Sequence, residues 1–176
     1  MPMTTVELSE RYNAGERNFA GIELRISKLE DGNILRLHDL IFLSDIILSG
    51  VNLSNGNLSG MNLPGAQLVG CPLWHTPLAE TDLSGADLTG ANLFNARLIR
   101  TNLRGAKLIG ANLTRAQLIG ADLTGADLSE SILCEVNLSK IKLDEECHRQ
   151  VLCTKALLWN TVMPDGTFIS SPRYHD

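Results

Sequence analysis

A leucine falls on every fifth residue from Leu43 to Leu143 without a break, inside a stretch that begins at Ile41. Two places before each leucine sits a small or aliphatic residue, and one place before it usually Asn or Asp. After it often come Ser or Thr and then Gly, and Ala86-Asp87-Leu88-Thr89-Gly90 shows all five at once. This spacing restricts the backbone severely. A helix advances about 100° per residue, so leucines five apart step by about 140° and scatter over its whole surface. A straight strand alternates faces with period two, so an odd repeat would throw successive leucines to opposite sides. The chain must therefore change direction once per repeat. Ala86 and Leu88 point inward with Asp87 outward between them, and Thr89-Gly90 form the corner, where glycine takes positive φ at low cost.

A chain that bends the same way after each short strand winds into a solenoid, each coil stacked on the last at about 4.8 Å. Stacking lets the leucines form internal columns, each worth about 1.5–3 kcal/mol when fully buried, while backbone groups pair between coils. A narrow interior has no room for two large side chains per side. Hence Ala66, Ala86, Ala106 and Ala126 precede their leucines by two.

The tandem Ala-(Asp/Asn)-Leu-(Ser/Thr)-Gly units resemble the pentapeptide-repeat family, and the resemblance covers about three-fifths of the chain unbroken. It implies an all-β solenoid, a right-handed quadrilateral β-helix with four five-residue sides per coil. The opening Glu10-Arg11-Tyr12-x-x-Gly15-Glu16-Arg17-x-Phe19 and the late Met163-Pro164-Asp165-Gly166-Thr167 resemble cyanobacterial members.

The 176 residues suit one domain. Aromatic residues are only 5%, too few for an ordinary globular core but suited to a tube of Leu and Ala. The net charge of −5 argues against a nucleic-acid surface, which needs a basic footprint. No apolar run is long enough to span a membrane, the first residues lack the pattern of a signal peptide, and a cytoplasmic location is the default. Four irregularly spaced cysteines do not read as a disulfide framework.

Along the chain, residues 5–14 read as an N-terminal capping helix with Thr5 as N-cap, Val6, Leu8 and Tyr12 on a shared apolar side, and Gly15 as the stop. The repeat solenoid covers 17–143. Its frame runs through Phe19, Leu24, Leu29 and Ile34, then slips by one residue, which predicts a break near 35–40. Residues 144–152 read as a second capping helix with acids in its first turn, 153–168 as a final coil and turn, and 169–176 as a mobile tail. Large residues precede the leucines at both ends of the run, as Ile41, Ile46, Val51, Val136 and Ile141, and predict terminal coils that widen or that present apolar bulk to their covers. Pro72 and Pro77 occupy outward positions normally held by Asn or Asp and predict a weaker inter-coil ladder.

No catalytic constellation is present, so an enzyme is not expected, and no cofactor is implied. Asp82, Asp87, Asp122 and Asp127 fall on an outward ladder and read as solvated repeat acids. Cys147, His148 and Cys153 match no common zinc spacing. Cys71 points inward as a small hydrophobe, and Cys134 takes an outward, serine-like place.

The surface is more informative. With four sides per coil, residues twenty apart are stacked neighbours, which puts Trp74 beside Phe94 with Pro72 alongside, and Pro77, Ala79, Ile99 and Ile119 on the next side. Pro72, Trp74, Pro77, Phe94, Ile99 and Ile119 thus predict an apolar strip for an unidentified protein partner, presented by a rigid monomeric scaffold. The resemblance also implies an alternative, a DNA mimic that binds and protects a type II topoisomerase (gyrase). That function needs an unbroken acidic face, whereas here Arg104 and Lys107 interrupt the acidic columns and Arg97, Arg100 and Arg115 add a basic belt.

Overall fold

The computed structural model describes residues 3–25, 43–143 and 155–174. Within 43–143 the backbone bends after every leucine, and outward residues form parallel bridges to the residue twenty further on, as in Asp82↔Asn102↔Asp122↔Lys142 and Asp87↔Lys107↔Asp127. The chain therefore returns to the same side after four quintets. Four faces follow, named by their leucines: face 1 by Leu63 and Leu83, face 2 by Leu68 and Leu88, face 3 by Leu73 and Leu93, face 4 by Leu78 and Leu98. Leu88 and Leu108 are both fully buried, and Leu88 N–H donates to the Lys107 carbonyl at 2.7 Å, so the stacking demanded by the five-residue spacing is present.

The composition of the quintet follows from where its five amide hydrogens go. Asp87 N–H donates down to Ala66 O at 2.9 Å, while Leu88 and Gly90 donate up to Lys107 O and Ile109 O at 2.7 and 2.8 Å. Ala91 N–H closes the corner onto Leu88 O at 2.9 Å. The remaining donor, Thr89 N–H, goes to Asp87 Oδ1 at 3.0 Å. The same bond recurs from Ser84 to Asp82, Thr114 to Asn112 and Ser139 to Asn137. A side-chain oxygen before the leucine thus satisfies the one amide that the ladder cannot reach, which is why Asn and Asp hold that place. Pro64 has no N–H to give, and the buried Oδ1 of Asn62 is correspondingly left without a partner.

Inside the stack, Ala occupies most of the small positions. Thr76, Thr81 and Thr101 stand there too, fully buried, each donating its hydroxyl to a leucine carbonyl of the coil below: Leu53 at 3.1 Å, Leu58 at 2.8 Å and Leu78 at 2.6 Å. Those carbonyls already accept a turn amide, so the hydroxyl uses their second lone pair. Cys71 does the same through Sγ to Leu48 O at 3.0 Å, and burial pushes its thiol up to about 11.

The ends differ from the sequence-based expectations in several respects. Helix α1 spans Thr5–Asn13, but its N-cap is Thr4, whose hydroxyl and amide exchange bonds with Glu7 in a capping box. Leu8 is buried and Tyr12 half-buried, with Tyr12 Oη donating to Ser44 O at 3.1 Å, whereas Val6 is exposed. Leu8 and Tyr12 are one helical turn apart, and Val6 lies about 200° from Leu8. Strand β1 (Met3–Thr4) pairs in parallel with β2 (Leu24–Arg25). Asn18 bridges Ile47, twenty-nine residues on, which seats the buried Phe19 in the Leu48 column. The predicted break near 35–40, the predicted helix at 144–152 and the Cys147–Cys153 segment lie outside the described residues.

At the other end, Ile132 bridges Leu157 and Asn137 bridges Val162, each twenty-five residues apart, so Leu158 takes the place above Leu133. Strands β3 (Leu157–Leu158) and β4 (Thr161–Val162) are then covered by antiparallel strands, β5 (Phe168–Ile169) on β4 and β6 (Arg173–Tyr174) on β3. The tail expected to be mobile is therefore paired through Tyr174, because the last coil offers an open ladder edge that another strand can satisfy.

Candidate protein-binding surface

The position before each leucine on face 3 reads Asn52, Pro72, Asn92, Asn112, Ile132 and Leu157, and on face 4 Asn57, Pro77, Arg97, Gln117, Asn137 and Val162. Trp74 and Phe94 follow their leucines on face 3, and Ala79, Ile99 and Ile119 follow theirs on face 4. His75 N–H donates to Phe94 O and Glu80 N–H to Ile99 O, which fixes this register. Trp74 is 37% exposed and Ile119 52%, while Pro72, Pro77, Phe94 and Ile99 are half-buried.

The strip differs from the expected arrangement in one respect. Trp74 and Phe94 are linked through His75, whose ring meets each of theirs edge-on at 5.7 Å. His75 Nδ1 lies 2.7 Å from Asn95 Nδ2, the amide donating to the ring nitrogen. Arg115 stacks over the other side of Phe94 at 5.9 Å from its centre and bonds Glu135 through two nitrogens, at 2.8 and 3.1 Å. The sequence reading passed over His75. Its signal was a histidine in the corner place that glycine usually fills, with an asparagine twenty residues above.

Trp74 N–H and Ala79 N–H have no side-chain acceptor, because Pro72 and Pro77 stand where Asn or Asp would supply one. The prolines also leave the Val51 and Gly56 carbonyls without the donor from above that neighbouring coils provide. The ladder is thinner there, as the prolines predict.

The charges are paired rather than arrayed. Asn102 Nδ2 donates to Asp82 Oδ1 at 2.9 Å, and Arg104 reaches Asp122 Oδ2 at 3.4 Å. Lys107 Nζ lies 3.8 Å from Asp87, and Arg100 bonds Glu80 at 3.1 Å. Two of the three arginines of the expected basic belt are thus neutralised by acids of adjacent coils. Cys134 is buried rather than serine-like, flanked in its column by Thr114 and Trp159, and burial raises its thiol pKa.

Burial pushes the Asp122 carboxyl up, but the hydroxyl and amide of Thr124 and the Arg104 guanidinium outweigh this and hold it below the usual carboxylate range. The Thr4 amide and hydroxyl lower Glu7, and Arg115 lowers Glu135. A depressed folded pKa contributes stability above the unfolded value that disappears as pH falls through the folded one. Melting temperature should therefore be level above about pH 5 and fall as pH drops below about 4. Asp122→Asn should start lower and lose less over that interval, and an unchanged slope would show that Asp122 takes no part.

With this geometry in place, the family can be given. The family model described as pentapeptide repeats matches residues 46–85, 78–110 and 111–145 in eight copies, more than half of the chain. The chain belongs to the pentapeptide-repeat family. Among solved structures it is similar to QnrB1, a plasmid-mediated fluoroquinolone resistance protein, at 18% identity over 87% of this chain and 70% of that one, with a TM-score of 0.63. It is also similar to a pentapeptide repeat protein of the Arabidopsis thaliana thylakoid lumen, at 25% identity over 61% of this chain and 71% of the other, with a TM-score of 0.51. Among proteins of curated function, none matches the sequence. The described residues contain no helix long and apolar enough to cross a membrane and no cluster of His, Cys, Asp or Glu suited to hold a metal ion.

Proposed function

We propose that this chain is a non-enzymatic scaffold, a right-handed quadrilateral β-helix acting as a cytoplasmic monomer, that binds a protein partner through Pro72, Trp74, Pro77, Phe94, Ile99 and Ile119. The observation that carries the reading is the grouping of the exposed Trp74 and Ile119 with the half-buried Pro72, Pro77, Phe94 and Ile99 on two adjacent faces. The twenty-residue ladder period and the fold likeness to QnrB1 support the four-sided helix. Two buried free thiols, Cys71 and Cys134, are compatible with a reducing compartment. The competing reading is DNA mimicry directed at gyrase. Pairing of Asp82, Asp87, Asp122, Glu80 and Glu135 with neighbouring cations or amides weighs against it, because a mimic needs repeated free negative charge along one side.

A rigid apolar surface concentrates binding energy in a few aromatic anchors. Changing Trp74 and Phe94 together to Ser should weaken capture of the native partner at least roughly tenfold while leaving the circular-dichroism spectrum unchanged. Undiminished capture would overturn the assignment, as would protection of gyrase supercoiling from a fluoroquinolone by the purified protein.

A further inference from the structure

The corner between faces 3 and 4 is unlike the other three. Among the described residues it holds Asn55, His75, Asn95, Arg115, Glu135 and Asn160, all with positive φ, between 48° and 60°, and none of them glycine. The other corners mix glycine with such residues: Gly65 and Gly85 with Asp45, Gly70 and Gly90 with Glu130, and Gly60 and Gly120 with Glu80 and Arg100. Left-handed backbone costs free energy for any residue with a Cβ, least for Asn. Such strain concentrates where side chains serve a purpose other than folding. Here it is sustained along the whole stack, about 24 Å at the strand spacing.

A second, independent observation falls on the same edge. The exposed aromatic residues of the last coil extend the two flanking faces. Trp159 (42% exposed) stands in the column of Trp74 and Phe94. The pairing of Tyr174 with Leu157 and of Phe168 with Val162 places these exposed rings outward at the tops of faces 3 and 4. Four of the corner's six side chains are meanwhile paired, His75 with Asn95 and Arg115 with Glu135, and the other two are asparagines, so the corner presents no free charge. Arg97 on face 4 and Arg173, beside Tyr174 on β6, are exposed cations that no carboxylate pairs with among the described residues.

We infer that the edge between faces 3 and 4 is a recognition ridge for one extended, apolar segment of the partner protein, carrying at most two acids, opposite Arg97 and Arg173. This rests on the partner-binding reading above and adds to it the corner column, Trp159 and the chemistry of the segment. An extended chain matches the length of the ridge. A charged one would find no countercharge along the corner and would lose hydration without compensation.

The test uses the full chain, immobilised, and a phage-displayed library of random peptides as the probe, with selected peptides resynthesised for affinity measurement. Selected peptides should be rich in Leu, Phe and Trp. Their affinity should fall at least roughly tenfold with Trp74→Ser plus Phe94→Ser, and at least roughly fivefold both with Arg115→Gly plus Glu135→Gly and with Trp159→Ser. The glycine pair relieves two strained corners, so it should melt at an equal or higher temperature while binding less well, a combination that a purely structural role for the corner would not produce. Affinity should change less than about threefold between about 50 mM and about 500 mM salt. Loss of binding with the Trp74/Phe94 pair alone would overturn the ridge and leave the partner-binding reading standing. Insensitivity to every variant, or a library that yields no binder, would overturn both. Charged selected peptides, or a tenfold salt dependence, would overturn the apolar character of the segment.

Discussion

Leu88→Ala should destabilise the protein by about 2–5 kcal/mol, toward the upper part of that range for its residue type. Leu88 is fully buried at mid-stack, between Leu68 and Leu108 in its column, with Ala86 and Ala106 beside them. The cost of such a truncation depends on how far the surroundings can close on the cavity. Here they can close very little, because Leu88 N–H and Gly90 N–H bind the coil above and Asp87 N–H binds the coil below. The neighbouring small residues have no reach to fill the space. Leu143→Ala, at the half-buried end of the repeat run, should cost clearly less. The check is the urea midpoint of both variants. Equal losses would mean that the stack is not held rigidly by its ladder.

Replacing Pro72 and Pro77 together by Asn should stabilise the fold by about 2 kcal/mol. Each Asn would regain two bonds: its own amide to the carbonyl of Val51 or Gly56, and its side-chain oxygen to the amide of Trp74 or Ala79. Each bond is worth about 0.5–1.5 kcal/mol net, offset by the roughly 0.4–1 kcal/mol that proline contributes by restricting the unfolded chain. The gain should appear as a rise of about 4–8 °C in melting temperature for a chain of this size. A fall instead would show that φ at these positions is set for proline. If the gain is found, the native chain keeps a less stable ladder beneath Trp74, the position where the partner is proposed to dock.

The spacing of the leucines made the repeat legible, and the structure has its central consequence, the stacking of residues twenty apart. The prolines announced a thinner ladder, and the bulky residues two places before the leucines at the ends, Ile46, Val51 and Val136, are buried as their inward register requires. What could not be read was anything depending on which hydrogen bond wins among neighbours. The N-cap is an exception: Thr4-x-x-Glu7 has the capping-box spacing, and this selects Thr4 over Thr5. Of Val6, Leu8 and Tyr12, the helix phase over the first coil decides which are covered. The residues Ser170 to Tyr174 carry no strand pattern, yet the open edge of the last coil pairs with Arg173–Tyr174. On the candidate surface the proline, tryptophan and isoleucine positions were legible from the twenty-residue register. The insertion of His75 between Trp74 and Phe94 was not, because it depends on side-chain rotamers at a corner.

By itself, the sequence determined the quintet, the inward and outward assignment of nearly every repeat position, and the columns in which residues twenty apart would meet, because a five-residue spacing leaves the backbone one way to bury its leucines. Tertiary structure alone decided that His75 stands between Trp74 and Phe94, that His75 pairs with Asn95 and Arg115 with Glu135 along one corner, and that the tail completes the last two faces. Those outcomes turn on contacts between coils, whose energies depend on geometry that no local pattern of residues encodes.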